Sequence, residues 1–171
     1  GPDLTVDLGE RVGLELLHNV PLDTFIWATR PGLSCYNCPE PDAMPVRTTT
    51  YRLSVVAPGG CTDVDSVTVR VRERRNVYVP NSFSPNDDGY NDRFTVYAGP
   101  EVMLVKKLQV YSRWGELLFD GNDLPPNEDY TGWDGRFHGR DLPPGVFTWL
   151  AEVEFIDGVV TLYRGSVTVV W

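Results

Sequence analysis

Histidine is nearly missing from this chain, with two in 171 residues, and no apolar run approaches the roughly 20 residues that a membrane-spanning helix needs. No basic segment followed by an apolar one opens the chain, and Gly1-Pro2 running straight into "DLTVDLG" reads as the cut edge of a longer protein. Gly-x-Ser-x-Gly, a phosphate-cradling glycine loop and His-Glu-x-x-His are all absent. His18 and His138 read as ordinary loop residues, and no spacing among the 24 acids nominates a pair for glycoside hydrolysis, so catalysis is not expected. Positive charge is scarce too. A formal charge of −9 argues against nucleic acid, where affinity rests on clustered Lys and Arg, and against an anionic membrane surface or direct membrane insertion.

Cysteine is limited to Cys35, Cys38 and Cys61. "CYNC" has the spacing of a zinc or redox site, but zinc wants a fourth ligand and His18 is the only histidine nearby in sequence. A thioredoxin-type site needs a strand-to-helix context, whereas "GLSCYNCPEPDAMP" is a Pro-rich loop. What remains is a structural disulfide in an exported domain, with its pairing open and one thiol over.

What the chain does have is alternation. Leu4, Val6 and Leu8 face one way and Asp3, Thr5 and Asp7 the other, as in a half-buried strand. "RVGLELL", "TFIWAT", "TTTYRLSVVA" and "VDSVTVRVRE" continue the pattern, with Val67, Val69 and Val71 inward and Ser66, Thr68, Arg70 and Arg72 outward. Short strands between turn signals, built around Trp27, predict an immunoglobulin-like sandwich. The charge run "RERRN", ending at Asn76, reads as a solvated linker. Beyond it "RFTVY", "VKKLQVYS", "GELLFD", "GVFTWLAEVEF" and "VVTLYRGSVTVVW" are strands again. Phe147, Trp149, Ala151, Val153 and Phe155 form one face there, with Thr148, Glu152 and Glu154 on the other. Asp157-Gly158 supplies a tight hairpin, "LPPG" a stiff turn, and Tyr163, Val167, Val169 and Trp171 tie the last strand into the sheet. The fold expected is all-β: two consecutive antiparallel β-sandwich domains, over residues 3–73 and 76–171.

"VPNSFSPNDDGYNDRF" is the one place where metal chemistry suggests itself. Asn86, Asp88, the Tyr90 carbonyl and Asp92 fall at alternate positions, as calcium loops require. The EF-hand pattern fails, because Tyr97 stands where its bidentate glutamate belongs. The competing reading is a set of side-chain-to-backbone turns around Asp88-Gly89. No cofactor is required, and calcium is the one candidate. Trp114 in "SRWGE" and Trp133 in "TGWDG" each stand beside glycine, where they either close the core or offer platforms to a sugar in a carbohydrate-binding or adhesive module.

Four stretches in order, "VPNSFSPNDDGYNDRF", "LQVYSRWGELLFD", "GWDGRFHGRDLPPGVFTW" and "RGSVTVVW", resemble the gliding motility-associated C-terminal domain, the type B sorting domain of the type IX secretion system. The matching positions are Pro80, Asn81, Phe83, Pro85, Asn86, Asp88, Gly89, Asn91 and Asp92; then Arg113, Trp114 and Gly115; then Gly132, Trp133, Asp134 and Gly135; then Pro144 and Gly145. Asp87 stands where the family often has glycine, Ser84 where threonine is usual, and no basic residue follows the last strand. The first domain resembles the PKD-like or immunoglobulin-like repeats of surface adhesins. The resemblance implies a non-catalytic address: a folded domain recognised in the periplasm, passed through the type IX translocon with a PorP/SprF-like outer-membrane protein as partner, and carrying its cargo to the cell surface or medium. Contacts along one edge or loop end of the second sandwich would read it.

Overall fold

A computed structural model describes residues 2–16, 21–28 and 30–170, so the readings that concern His18 and Trp171 lie outside the described residues. The chain divides into two compact units, Gly1–Arg74 and Arg75–Trp171.

In the first unit β1 (Leu4–Asp7), β6 (Thr62–Arg72), β5 (Thr49–Val56) and β3 (Thr24–Trp27) form a four-stranded sheet in that order. Its inner face supplies Val6, Trp27, Tyr51, Leu53 and Val69 to the core, as the period-two pattern requires. A second layer is thin: β2 (Val12–Gly13) pairs with β4 (Asp42–Ala43), and Leu33 bridges Ala43. Among the described residues "RVGLELL" therefore makes only a two-residue strand before Leu14 turns into the core. The Trp27 indole N–H donates to the Cys38 carbonyl at 2.9 Å, pinning the cysteine loop to the core. Cys35 and Cys38 are bonded to each other and Cys61 is a free, exposed thiol.

The second unit holds a five-stranded sheet ordered β11 (Leu117–Leu124), β10 (Val102–Tyr111), β14 (Gly145–Phe155), β15 (Val160–Val169) and β8 (Ser82–Phe83). Phe147, Trp149, Ala151, Val153 and Phe155 are all buried on one face of β14. The opposing layer is built from β7 (Val77–Tyr78), β9 (Tyr97–Ala98), the short hairpin β12 (Arg136–Phe137) and β13 (Arg140–Asp141), and a 3-10 turn at Asp129–Thr131. "RFTVY" is not the continuous strand its composition suggests. Phe94, Thr95 and Val96 are buried in succession, and only Phe94 is laddered, bridging Trp133.

Neither main sheet is purely antiparallel. β1 runs parallel to β6, and β8 parallel to β15. In each unit the first edge segment joins the last strand, so the rest of the unit serves as the long crossover that parallel pairing requires. The charge run is also no bare linker. Arg72 and Arg74 both reach Asp7, at 2.7 and 3.5 Å. Arg75 makes a two-pronged pair with Asp157, at 2.7 and 3.3 Å, with its guanidinium 4.5 Å above the Phe155 ring. The Asn76 N–H donates at 2.7 Å to Glu101, a carboxylate only 3% exposed. The unit boundary thus falls between Arg74 and Arg75.

Candidate recognition site

Strand direction polarises the second unit. β14 ends at Phe155 beside the start of β10, since Val102 pairs with Phe155, and the β14–β15 turn carries Asp157. Arg75 and Asn76 bind here, so the chain enters at this end. At the turn only Gly158 takes a positive φ, 84°, with its N–H on the Phe155 carbonyl at 2.9 Å. The Asp157 carboxylate pairs with Arg75 and also accepts from the Val159 N–H at 3.2 Å, and chiefly the Arg75 hydrogen bond holds it below the usual carboxylate range.

The opposite end gathers the four sequence stretches. There β10 finishes at Tyr111 opposite Thr148, β11 begins at Leu117, β14 begins at Gly145 opposite Val169, and Val169 pairs with Phe83 of β8. The Arg113-Trp114-Gly115 turn, the Pro144-Gly145 approach and the loop after Phe83 all leave the sheet at this end, spread across its width of about 20 Å. Residues from 83 to 169 are brought together by strand register alone.

The matching residues divide by burial. Phe83, Pro85, Gly132, Trp133 and Gly135 are buried, and Pro80, Asp92, Asp134 and Gly145 half-buried. Trp133 is 1% exposed, its ring 5.5 Å from Phe83 and edge-on to Phe147 at 5.2 Å, with its indole N–H on the Arg136 carbonyl at 3.0 Å. It is a core closure and not a sugar platform. Gly135 has φ 73°, and a Cβ there would lie 2.9 Å from Pro85 and 3.5 Å from Phe83. A Cβ on Gly132 would meet the Phe94 carbonyl oxygen at 2.5 Å, where Phe94 and Trp133 exchange backbone hydrogen bonds. These glycines let "GWDG" lie flat on the loop residues.

Asn81, Asn86, Asp88, Gly89, Asn91, Arg113, Trp114, Gly115 and Pro144 are exposed. Trp114 is 74% exposed, with the Arg113 guanidinium 5.0 Å from its ring centre. The turn that carries it is tightly held. Ser112 Oγ accepts from both the Trp114 and Glu116 N–H groups at 3.2 Å, Gly115 N–H donates to the Ser112 carbonyl at 3.0 Å, and Gly115 has φ 84°.

The Asn/Asp loop closes on itself. Asn86 Oδ1 accepts from Asp88 N–H at 3.2 Å, Asp88 accepts from Tyr90 N–H at 2.9 Å and from Asn86 Nδ2 at 3.0 Å, and Asp92 Oδ2 accepts from Gly89 N–H at 2.7 Å. Within this loop, Asp92 Oδ1 is the one side-chain oxygen buried without a hydrogen-bond partner among the described residues. One such oxygen does not make a shell of six to eight ligands. Among the described residues no group of three or more His, Cys, Asp or Glu is arranged for a metal ion. Asp87 has φ 59° and Asn91 φ 53°, the left-handed region that glycine enters freely and Asn or Asp tolerates. Sequence reasoning passed over Arg136, which pairs with Asp141 at 2.7 Å and Asp87 at 3.6 Å and thereby ties this loop to the β12–β13 hairpin. Its pKa is raised further, chiefly by the Asp141 hydrogen bond. Only its place within "GWDGRF" pointed to it.

Fold and site define β-sandwich units of the immunoglobulin kind, the second carrying an ordered loop cluster at one end. Residues 77–169 match the model of the CHU_C type IX secretion signal domain, and the chain belongs to that family. Its second unit is therefore a C-terminal sorting signal, the mark of a protein exported to the cell surface or beyond. No curated protein matches the chain in sequence. Similar solved structures include the Clostridium thermocellum CbhA fibronectin(III)-like modules, at 12% identity over 98% of this chain and 88% of that one, TM-score 0.29. Murine CEACAM1b is similar at 13% identity over 97% and 96%, TM-score 0.33. The Dpr2 Ig1–Ig2 structure with DIP-Theta Ig1–Ig3 is similar at 14% identity; this chain, 99% covered, spans 61% of that one, TM-score 0.35.

Proposed function

We propose that the second unit is a non-catalytic signal read as a folded domain, at the end where the four stretches converge. Its readers are the type IX translocon, reached through the periplasm, and a PorP/SprF-like outer-membrane protein. The first unit is then part of the cargo, an adhesin-type module of the cell surface. One observation carries this reading. The exposed signature residues sit at the end of the sheet opposite Arg75, where the chain enters, so the surface to be read faces away from the attachment point. A tryptophan held out on a rigid turn beside an arginine has the composition of an interface anchor, and nothing in the unit's packing calls for its exposure. The Asn/Asp loop serves as a shaped element of the same surface without a resident cation.

The test fuses the full chain behind a fluorescent protein with a periplasm-directing leader, in a strain that has the secretion machinery. Fluorescence should reach the surface or medium; retention in the periplasm with all components present refutes the reading. Trp114→Ala should lower export by about tenfold or more, as loss of an anchor does, and leave the melting temperature unchanged. Glycan binding that is lost in Trp114→Ala, with export intact, would instead support the carbohydrate-binding alternative.

A further inference from the structure

The two outer strands of the five-stranded sheet are finished differently. β11 carries exposed Asp120, Asn122 and Asp123 in its second half, Asp123 has φ 52°, and the ladder to β10 is irregular beside Tyr111. Charge, a backbone kink and a bulge are the devices that stop an edge from pairing. On the other side β8 covers only Thr168 and Val169, leaving the outer edge of β15 open before them.

Which groups face outward follows from the hydrogen bonds. Phe155 N–H donates to the Val159 carbonyl at 2.8 Å, so odd-numbered residues of β15 exchange bonds with β14. Thr168 and Val170 N–H groups donate the other way, to the Asn81 and Phe83 carbonyls at 2.8 and 3.0 Å. The even-numbered residues Val160, Leu162, Arg164 and Ser166 therefore direct their N–H and C=O groups outward, and all four are exposed. Among the described residues no loop or neighbouring strand takes those groups. Their side chains add apolar surface at Val160 and Leu162, and a cation at Arg164 that has no ion-pair partner among the described residues.

We infer that this edge, Val160 to Ser166, receives an extended segment of a partner protein as an added strand, with a carboxylate opposite Arg164 and apolar side chains opposite Val160 and Leu162. The segment takes up the edge where β8 leaves off, spanning about 23 Å at strand rise. A second copy of this chain fits less well. Antiparallel pairing of β15 with itself sets Arg164 against Val160, Leu162, Ser166 or another Arg164 according to register, and none of these is an acid that answers the guanidinium. The partner is a component that reads the signal, so the inference rests on the proposed function and goes beyond it, adding to the loop end a second contact along a strand edge that begins beside the β14–β15 turn.

The export assay tests it with edge variants. Leu162→Pro removes an outward donor without touching the β14 ladder, since proline is tolerated where the N–H faces away from the sheet. Arg164→Glu reverses the charge and keeps the backbone. Each should lower export about tenfold while the melting temperature stays within about 3 °C of the unsubstituted chain. If Leu162→Pro does not fold, Arg164→Glu decides alone. Export within twofold of the unsubstituted chain, from folded variants, overturns the inference and leaves the signal reading standing. Failure of the unsubstituted chain to be exported refutes the reading itself. Sedimentation of the full chain gives the remaining outcome: a dimer that Leu162→Pro abolishes names a second copy as occupant and also overturns the inference.

Discussion

Replacing Gly135 by alanine imposes two strains at once, and a second glycine separates them. At φ 73° an alanine pays about 1–2 kcal/mol for the left-handed backbone, a cost that Gly158, at φ 84°, shares. Gly135 alone adds a collision, since its Cβ would lie 2.9 Å from Pro85 Cγ and 3.5 Å from Phe83, both buried, whereas a Cβ on Gly158 meets nothing within 4 Å. Overpacking of this kind costs about 1–3 kcal/mol, while the stiffer unfolded chain returns about 0.4–1 kcal/mol in both variants. Gly135→Ala should therefore lose about 2–3 kcal/mol and Gly158→Ala about 1 kcal/mol or less. Guanidinium unfolding followed by fluorescence reports on the second unit, which holds four of the five tryptophans, Trp114, Trp133, Trp149 and Trp171. Equal losses in the two variants would refute the view that Gly135 is there to let "GWDG" close on Pro85 and Phe83.

Two further outcomes are expected. Arg75→Ala should lower stability at neutral pH by about 1–2 kcal/mol, between the values for exposed and buried pairs. The Arg75 hydrogen bonds depress the Asp157 pKa in the folded state, so their contribution is complete above the ordinary aspartate value near pH 4 and lost as pH falls through the folded value. Acid titration of both proteins should accordingly show the difference narrowing below about pH 4; a constant difference would assign the loss to the packing of Arg75 on Phe155. Chelator and added calcium should each move the melting temperature of the second unit by less than about 1 °C, since a cation held at 100 times its Kd would add about 2.7 kcal/mol. A larger shift would revive Asn86, Asp88, Tyr90 and Asp92 as ligands.

The long strands were legible because one face is packed and the other wet, which writes burial directly into alternation at Phe147 to Phe155. "RFTVY" misled because Phe94, Thr95 and Val96 are enclosed on both sides, so no alternation marks their pairing or its absence. Trp114 and Trp133 each stand beside a glycine in sequence, yet one is on a hairpin tip and the other in the core. The difference lies in Phe83, Pro85 and Phe147, which approach Trp133 from elsewhere in the chain. Arg75 looked like linker charge because its partner, Asp157, stands 82 residues away. Parallel pairing of edge segments is likewise nonlocal. The four matching stretches were visible as a set, but their meeting at one end depends on strand directions that no stretch encodes alone.

The polarity of the second unit has a mechanical consequence. If the domain is gripped at the loops beside Val169, as proposed, and pulled by its cargo at Arg75, it is tensioned along its strands. The Thr168 and Val170 hydrogen bonds that hold β8 to β15 are then sheared together rather than unzipped in turn. At the pulled end the two-pronged Arg75–Asp157 pair passes force into the β14–β15 turn before β7 can peel. A passenger that snags during export would strain the signal in its most resistant direction, and the grip would fail by slow unfolding of the whole sheet rather than by fraying from its entry strand.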